Sequence, residues 1–111
     1  MSSASLDEKI QLMLVEGEVV TFHDLPRVAS LLVGRGLDVA IQLTDPRASA
    51  RHARLRVEGT RVSIEDLESR NGTHLRGQRI PPNQPVPLAI GDAVTLGSAV
   101  LTVRIARGDG R

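Results

Sequence analysis

The sequence predicts an all-β fold, and two of its features lead to that prediction. Short apolar segments recur along the chain, separated by the turn-forming residues Gly, Pro, Asn and Asp. None of these segments shows the spacing of a long amphipathic helix. Phe22 is the only aromatic residue, so the core must consist of Val, Leu, Ile and Ala. Short strands at regular spacing with turns between them favour a β-sandwich of roughly ten or eleven strands.

The strands of the first part follow from apolar patterning and from the turns between them. Glu16-Gly17-Glu18 predicts a turn. Pro26 excludes a helix between His23 and Val28, because proline has no amide hydrogen to donate. Thr44-Asp45-Pro46 predicts a tight bend. The strands predicted before this bend are 9–15, 19–22, 29–33 and 38–43.

The clearest alternation in the sequence follows this bend. Ala53, Leu55 and Val57 are expected on one face of a strand. The other face is expected to carry His52, Arg54 and Arg56. Glu58-Gly59-Thr60 predicts a hairpin turn into a second alternating strand. The remaining strands are predicted at 61–65, 73–75, 78–80, 86–88, 93–96 and 99–105.

Length and composition limit the organisation of the chain. A chain of 111 residues fits one domain, which we expect at 9–106, with a flexible lead-in at 1–8 and a flexible tail at 107–111. No stretch approaches the ~20 apolar residues that span a bilayer, and the first residues lack the pattern of a secretory signal. The chain has no cysteine, which excludes disulfides and thiolate metal sites. We therefore expect a cytoplasmic protein without a membrane partner.

The charge of the chain bears on its partners. The formal net charge is +1, and one aromatic residue provides no platform for stacked bases, so we expect no nucleic-acid partner. Lys9 is the only lysine, and arginine supplies the rest of the 14 Lys and Arg residues. Arginine binds phosphate bidentately, where lysine acts as a point charge. Genomic base composition explains this bias equally well.

Three motifs place polar side chains where strands give way to loops. They are Gly34-Arg35, Ser49-Ala50-Arg51-His52 and Ser69-Arg70-Asn71-Gly72-Thr73. Together they bring guanidinium groups, a hydroxyl and a side-chain amide, which are donors with few competing acceptors. Such a set suits a doubly charged anion such as a phosphate ester.

With Leu75-Arg76-Gly77-Gln78-Arg79-Ile80 and Gly91-Asp92, these motifs resemble those of forkhead-associated (FHA) domains over about residues 28–104. The resemblance implies a twisted β-sandwich of about eleven strands. It implies that loops at one end bind phosphothreonine in a protein or peptide, downstream of a Ser/Thr kinase. It implies neither catalysis nor a cofactor nor a metal ion.

The resemblance also implies a role for each motif residue. The phosphate and peptide contacts that it implies come from Arg35, Ser49, Arg51, Arg70 and Asn71. The residues expected to support the loops are Gly34, His52, Gly72 and Thr73.

The sequence departs from the family pattern at two positions. Ala50 stands where the family often has a polar or basic residue, and Arg51 either compensates for it or is directed elsewhere by strand alternation. Arg76 replaces the asparagine that is usual before Gly77. Arg47, on the same loop, is either a plain surface arginine or a contact for an acidic side chain after the phosphothreonine.

Other chemistries fit the sequence less well. Ser49 and His52 have the spacing of a nucleophile and a base, but on an extended segment they should face opposite ways. His23, His52 and His74 share no metal-ligand spacing. The alternative to phosphopeptide binding is a structural or oligomerising sandwich with lost or weak phosphate binding, and Ala50 is the residue that suggests it.

Overall fold

The computed structural model describes residues 8–107, and within this range it contains eleven strands and no helix. Accordingly, none of the described residues belongs to a helix that could span a membrane. The predicted flexible ends lie outside the described residues, apart from Glu8 and Arg107, whose backbones belong to strands. The strands are β1 (Glu8–Glu16), β2 (Val19–Asp24), β3 (Val28–Gly34), β4 (Ile41–Gln42), β5 (Ala53–Glu58), β6 (Arg61–Asp66), β7 (Thr73–Leu75), β8 (Gln78–Arg79), β9 (Val86–Leu88), β10 (Ala93–Leu96) and β11 (Ala99–Arg107).

The strands form two sheets, which confirms the predicted all-β sandwich. One sheet has six strands in the order β2-β1-β11-β10-β7-β8, and the other has five in the order β4-β3-β5-β6-β9. β3 and β4 run parallel, whereas the other strand pairs are antiparallel. β1 pairs with β11, so the first and last strands lie side by side.

The fourth strand is shorter than predicted. It contains only Ile41 and Gln42, whereas the apolar pattern predicted 38–43. The side-chain amide of Gln42 donates to the carbonyl oxygens of Arg35 and Gly36, at 3.3 and 3.2 Å. These bonds tie the start of the loop between β3 and β4 to Gln42 at its end.

The core lies between the sheets and is aliphatic, as the composition predicts. Alternate residues of β1, β5, β6 and β11 point inward, and side chains such as Leu12, Leu55 and Leu101 are almost completely buried. Phe22 lies outside the core and is 51% exposed, with the guanidinium carbon of Arg104 5.5 Å from its ring centroid.

The register of three strands places the predicted motifs at one end of the sandwich. Ala53, at the start of β5, pairs with Val33 near the end of β3 and with Asp66 at the end of β6. Neighbouring antiparallel strands run in opposite directions, so the loop after β3, the loop before β5 and the loop after β6 leave at the same end. The structure thus brings distant parts of the sequence together there.

Candidate functional site

The loop after β3 is hydrogen-bonded to the loop before β5. The amide nitrogen of Arg35 donates to the carbonyl oxygen of Ser49, and that of Gly36 donates to the carbonyl oxygen of Ala50, both at 3.0 Å. The amide nitrogen of His52 donates to the carbonyl oxygen of Val33 at 2.9 Å. These bonds extend the β3–β5 pairing into the loops and fix Arg35 beside Ser49.

Gly34 allows this close approach. A methyl carbon placed on Gly34 would lie 2.2 Å from the carbonyl oxygen of Ala50 and 2.9 Å from the amide nitrogen of His52. Both are backbone atoms that cannot rotate away, so the position requires a residue without a side chain.

Arg35 presents part of its guanidinium group to solvent. Its Nε donates to the carbonyl oxygen of Ala48 at 3.0 Å, which fixes the plane of the group. The side chain is exposed, and its terminal nitrogens donate to no group among the described residues. Arg35 therefore offers a preorganised pair of terminal N–H donors.

Ser49 is oriented as a hydrogen-bond donor. Its Oγ accepts a hydrogen bond from the amide nitrogen of Arg70 at 3.0 Å. Because that oxygen is already an acceptor, the hydroxyl hydrogen is left to be donated elsewhere. The same bond joins the loop before β5 to the loop after β6.

Asn71 makes a second connection between these loops. Its Nδ2 donates to the carbonyl oxygen of Arg47 at 2.8 Å. A primary amide has a second N–H and an acceptor oxygen, and in the part of the chain described here neither is engaged. Arg35, Ser49 and Asn71 are thus held together through the segment 47–49.

His52 supports these loops from beneath. The ring is completely buried. Its Nδ1 lies 3.1 Å from the amide nitrogen of Ser49, and its Nε2 lies 2.9 Å from the carbonyl oxygen of Gly72. Since the amide can only donate and the carbonyl can only accept, Nδ1 is unprotonated and Nε2 carries the hydrogen. Burial lowers the pKa of His52 and so favours this neutral form.

The expectation that Ser49 and His52 lie on an extended segment is wrong. The segment around 46–51 is a turn and not an extended strand, so the imidazole reaches back to Ser49. It contacts the amide of Ser49, however, while the hydroxyl oxygen accepts from Arg70. With both ring nitrogens engaged, His52 has no free nitrogen with which to take a proton from the hydroxyl.

A buried carboxylate fixes the loop after β6. Asp66 accepts hydrogen bonds from the hydroxyl of Ser69 at 2.5 Å and from that of Thr73 at 2.7 Å. Its other oxygen accepts from the amide of Ser69 at 3.2 Å. Gly72, inside this loop, has a φ of 83°, which side-chain-bearing residues rarely adopt. Asp66 and Thr73 therefore shape the loop that presents Asn71.

A second carboxylate, Asp45, fixes the loop before β5. It accepts from the amide of Arg47 at 3.0 Å and from the hydroxyl of Ser98 at 2.6 Å. The bond from the Ser98 hydroxyl is the main reason that the pKa of Asp45 is lowered to about 2. This connection to the β10–β11 turn has no signal in the sequence, because the two residues are 53 positions apart.

Arg51 does not lie free at this rim. Its Nε donates to Asp38 Oδ2 at 2.9 Å, and its Nη2 contacts the same oxygen. Hydrogen bonding from Arg51 lowers the pKa of Asp38. The guanidinium of Arg51 therefore lies against a carboxylate, and Ala50 is exposed beside it without a polar side chain.

Arg79 belongs to the Leu75–Ile80 motif but was not predicted as a site residue, and it lies beside Gly72. A methyl carbon placed on Gly72 would lie 2.5 Å from Nε of Arg79, so this guanidinium covers the residue after Asn71. β8 carries Arg79 to this point. β7 and β8 form a hairpin that turns at Arg76. Arg76 adopts a φ of 52°, and its Nη2 donates to Asp92 at 2.9 Å.

The buried polar side chains around the site form hydrogen bonds within the described part of the protein. Every buried polar side-chain atom in the described part of the chain has a hydrogen-bond partner. In residues 8–107 no group of three His, Asp or Glu side chains is placed to hold a metal ion. The donors left at the rim include the guanidinium of Arg35, the hydroxyl of Ser49 and the amide of Asn71, an arrangement suited to a small anion attached to a chain.

Comparison with known proteins identifies relatives of this chain. Residues 31–97 match a family model described as FHA domain. The chain is 38% identical over 98 residues to the FHA domain-containing protein FhaB of Mycolicibacterium smegmatis, covering 85% of this chain and 59% of the relative. It is 38% identical over 88 residues to FhaB of Mycobacterium tuberculosis, covering 79% and 53%. The chain thus spans a little more than half the length of these curated relatives.

Solved structures show the same architecture. A structure from a study of phosphothreonine-dependent FHA domain interactions is 33% identical with a TM-score of 0.76, covering 86% of this chain and 95% of that one. A crystal structure of the FhaA FHA domain, complexed with an intracellular domain of another protein, is 34% identical with a TM-score of 0.75, covering 86% and 99%. An FHA domain from Arabidopsis thaliana is 28% identical with a TM-score of 0.81, covering 97% and 94%.

Proposed function

Because the chain belongs to the FHA domain family, we propose that it is a non-catalytic module that binds phosphothreonine in a partner protein or in its own parent chain. A Ser/Thr kinase creates the ligand. One observation carries the proposal: Arg35, Ser49 and Asn71 come from three distant segments and are held together by hydrogen bonds at one rim. A relative studied for phosphothreonine-dependent interactions supports it.

The donors at the rim match a phosphate ester. A phosphomonoester carries about −1.5 to −2 charges near neutral pH and three acceptor oxygens. The terminal nitrogens of Arg35 point two parallel donors at two of these oxygens, and the hydroxyl of Ser49 donates to the third. Since Nε of Arg35 is already bonded to Ala48, the guanidinium loses little freedom on binding.

The loop after β6 provides contacts for the peptide around the phosphothreonine. The free N–H and the side-chain carbonyl of Asn71 fit the backbone groups of an extended peptide. Arg70 is exposed beside it, and its amide is held by Ser49. We assign Arg70 to the peptide contacts, and Arg47 to an acidic residue that follows the phosphothreonine.

Arg35, Arg70 and Asn71 are exposed to water, so we expect affinities of order micromolar, roughly −8 kcal/mol. Chemistry on the phosphate is not proposed, because both nitrogens of His52 are engaged in holding loops. We place the module in the cytoplasm, where a Ser/Thr kinase has the ATP that it needs. Neither a nucleic acid nor a membrane is part of the proposal.

A peptide-binding experiment tests this function. A degenerate phosphothreonine peptide library is titrated against the same library without phosphate, with the wild-type protein and with Arg35→Ala. Saturable binding of the phosphorylated library alone, lost in Arg35→Ala, is the expected result. Equal binding of both libraries, or binding of neither, would overturn the proposal.

One observation favours the alternative, a structural or oligomerising sandwich with lost or weak phosphate binding. Ala50 contributes no side-chain donor, and Arg51 beside it is bonded to Asp38. The phosphate thus gains no contact from these side chains in the arrangement described. Under this alternative, phosphorylated and unphosphorylated libraries bind equally or not at all.

A further inference from the structure

The edge strand β2 is longer and less protected than the other strand edges within residues 8–107. β4 and β8, at the edges of the two sheets, contain two residues each, and β9, the fourth edge, contains Pro87. Short length and proline are features that prevent an edge from pairing with another strand. β2 has six residues, which include neither proline nor lysine, and its residues 19–22 are uncharged. Its edge is therefore open to a further strand.

The backbone of β2 has hydrogen-bonding groups that β1 does not use. The amide nitrogen of Leu25 donates to the carbonyl oxygen of Ile10 at 2.9 Å, so these residues form a hydrogen-bonded pair. In antiparallel strands such pairs alternate with pairs that are not hydrogen-bonded. The register therefore directs the backbone N–H and C=O groups of Val20 and Phe22 away from β1, towards the free edge.

A groove lies beside this edge, between the two sheets. Its volume is about 450 Å³, and it is lined on one side by Val19 and Thr21 of β2 and on the other by Ala40 and Gln42. Leu14 of β1 adds an apolar surface to it. Val19 is 62% exposed, so a strand added beside β2 would bury its side chain. Alternate side chains of that strand would enter the groove.

The two ends of β2 are acidic, which bears on what can pair with it. Glu18 precedes the strand, Asp24 ends it, and both side chains are exposed. Asp24 accepts a hydrogen bond from the neutral amide of Gln11 at 2.9 Å. A second copy of this chain, paired antiparallel about Thr21, would place Glu18 opposite Asp24 of the other copy, and like charges directly opposite are destabilising. A strand with a basic residue at each end would instead complement both carboxylates.

We propose that β2 binds an extended segment of a partner protein, which adds to the six-stranded sheet as a seventh strand. The segment has apolar residues at every second position, facing the groove, and a basic residue at each end, facing Glu18 and Asp24. Main-chain hydrogen bonds to Val20 and Phe22 provide affinity, and the groove selects the side chains. The contact needs no phosphate and uses other residues than the rim, so it goes beyond the proposed function.

A seven-residue peptide tests the proposal. The probe is the blocked peptide Lys-Val-Thr-Val-Thr-Val-Lys. Paired antiparallel with residues 18–24, it places its lysines opposite Glu18 and Asp24, its valines over the groove, and its threonine backbones opposite Val20 and Phe22. One control peptide has glutamate at both ends. The other has proline in place of both threonines, which removes the N–H groups that would donate to β2.

Four proteins are titrated with these peptides and followed by the backbone amide signals in NMR spectra. They are the wild type, Val20→Pro, the matched control Val20→Ala, and the double variant Glu18→Lys/Asp24→Lys. Proline is tolerated at an edge position whose N–H faces solvent, so Val20→Pro removes an edge donor and leaves the pairing with β1 intact. Val20→Ala shortens the same side chain and keeps the donor.

We expect the wild type to bind the lysine-ended peptide about 2- to 25-fold more tightly than the glutamate-ended one, with the largest shifts at Val20 and Phe22. The double variant should reverse this preference. Val20→Pro should weaken binding about fivefold or more, and Val20→Ala should weaken it less. The proline-containing peptide should bind more weakly than the probe to every protein.

Four results would overturn the inference. They are no binding of the probe by the wild type, equal binding by the wild type and a folded Val20→Pro, shifts confined to the rim around Arg35 and Asn71, and self-association of the peptide-free protein that Val20→Pro abolishes. The last result would assign the edge to a second copy of the chain. If Val20→Pro does not fold, the double variant decides, because an unreversed preference contradicts pairing with Glu18 and Asp24. Phosphothreonine binding at the rim stands or falls separately.

Discussion

Replacing Gly34 by alanine should separate the two loops that hold Arg35. The added methyl carbon would lie 2.2 Å from the carbonyl oxygen of Ala50. Carbon and carbonyl oxygen atoms normally stay about 3.3 Å apart, so the segments must separate by about 1 Å. That shift strains or breaks the hydrogen bonds from Gly36 to Ala50 and from His52 to Val33.

The expected cost follows from these contacts. Two weakened backbone hydrogen bonds cost about 1 kcal/mol each, and overpacking against backbone atoms adds roughly 1–3 kcal/mol. Alanine restricts the unfolded chain and returns about 0.5 kcal/mol. Gly34→Ala should therefore lower the free energy of unfolding by about 3 kcal/mol, a large part of the stability of a small domain.

Denaturant unfolding measures this cost, with Gly59→Ala as the control. Gly59 has a φ of 68° and no heavy atom within 4 Å of the added carbon, so its variant suffers backbone strain without a clash. The control should lose only about 1 kcal/mol. If Gly34→Ala were no less stable than Gly59→Ala, the close approach at Gly34 would not be a determinant of the fold.

The remaining predictions concern the other groups that join the loops. Ser49→Ala removes a donor to the phosphate and the acceptor of the exposed Arg70 amide, which water can replace. Phosphopeptide binding should therefore weaken about tenfold while the melting temperature is largely retained; a fall as large as that of a core truncation would contradict this. His52→Ala leaves the Ser49 amide and the Gly72 carbonyl without partners, and should cost about 3 kcal/mol in thermal unfolding. Unchanged stability and affinity would refute its supporting role. Because burial lowers the pKa of His52, the unfolded state binds this proton more readily, and stability should fall as the pH drops below its ordinary value of 6.5. His52→Ala should lack that fall, and identical profiles would count against it. The pKa of Asp45, about 2, implies stability that is present above its ordinary pKa of 3.8 and lost as the pH falls towards 2. Asp45→Asn should reduce this acid dependence, and matching acid-unfolding curves for variant and wild type would be evidence against the tie to Ser98.

The strands were predictable because their signals are local. The alternation of apolar and polar residues at 53–57 predicts a strand, and the glycines at 59 and 97 predict turns, in each case from neighbouring residues alone. β4 was predicted too long because the apolar pattern of 38–43 does not reveal the turn at 37–38, where Asp38 accepts a hydrogen bond from the distant Arg51. The order of strands in each sheet depends on contacts between distant segments, which no local pattern contains.

The donors of the candidate site were predictable from motif spacing, whereas their connections were not. Arg35, Ser49 and Asn71 were named from the sequence, and the structure places them together. The tie between Asp45 and Ser98 and the position of Arg79 over Gly72 exist only in the folded chain. These contacts depend on how the two sheets bring distant turns together, so the sequence of any single loop does not predict them.

The interaction between Arg35 and the phosphate is the central claim, and a double-mutant cycle measures it most directly. The cycle combines wild-type and Arg35→Ala proteins with phosphothreonine and threonine forms of one bound peptide. We predict a coupling free energy of about 2–3 kcal/mol, because under the proposed function the two terminal nitrogens of Arg35, whose Nε is held by Ala48, both donate to the anion. A coupling near zero, with Arg35→Ala affecting both peptides equally, would contradict the account.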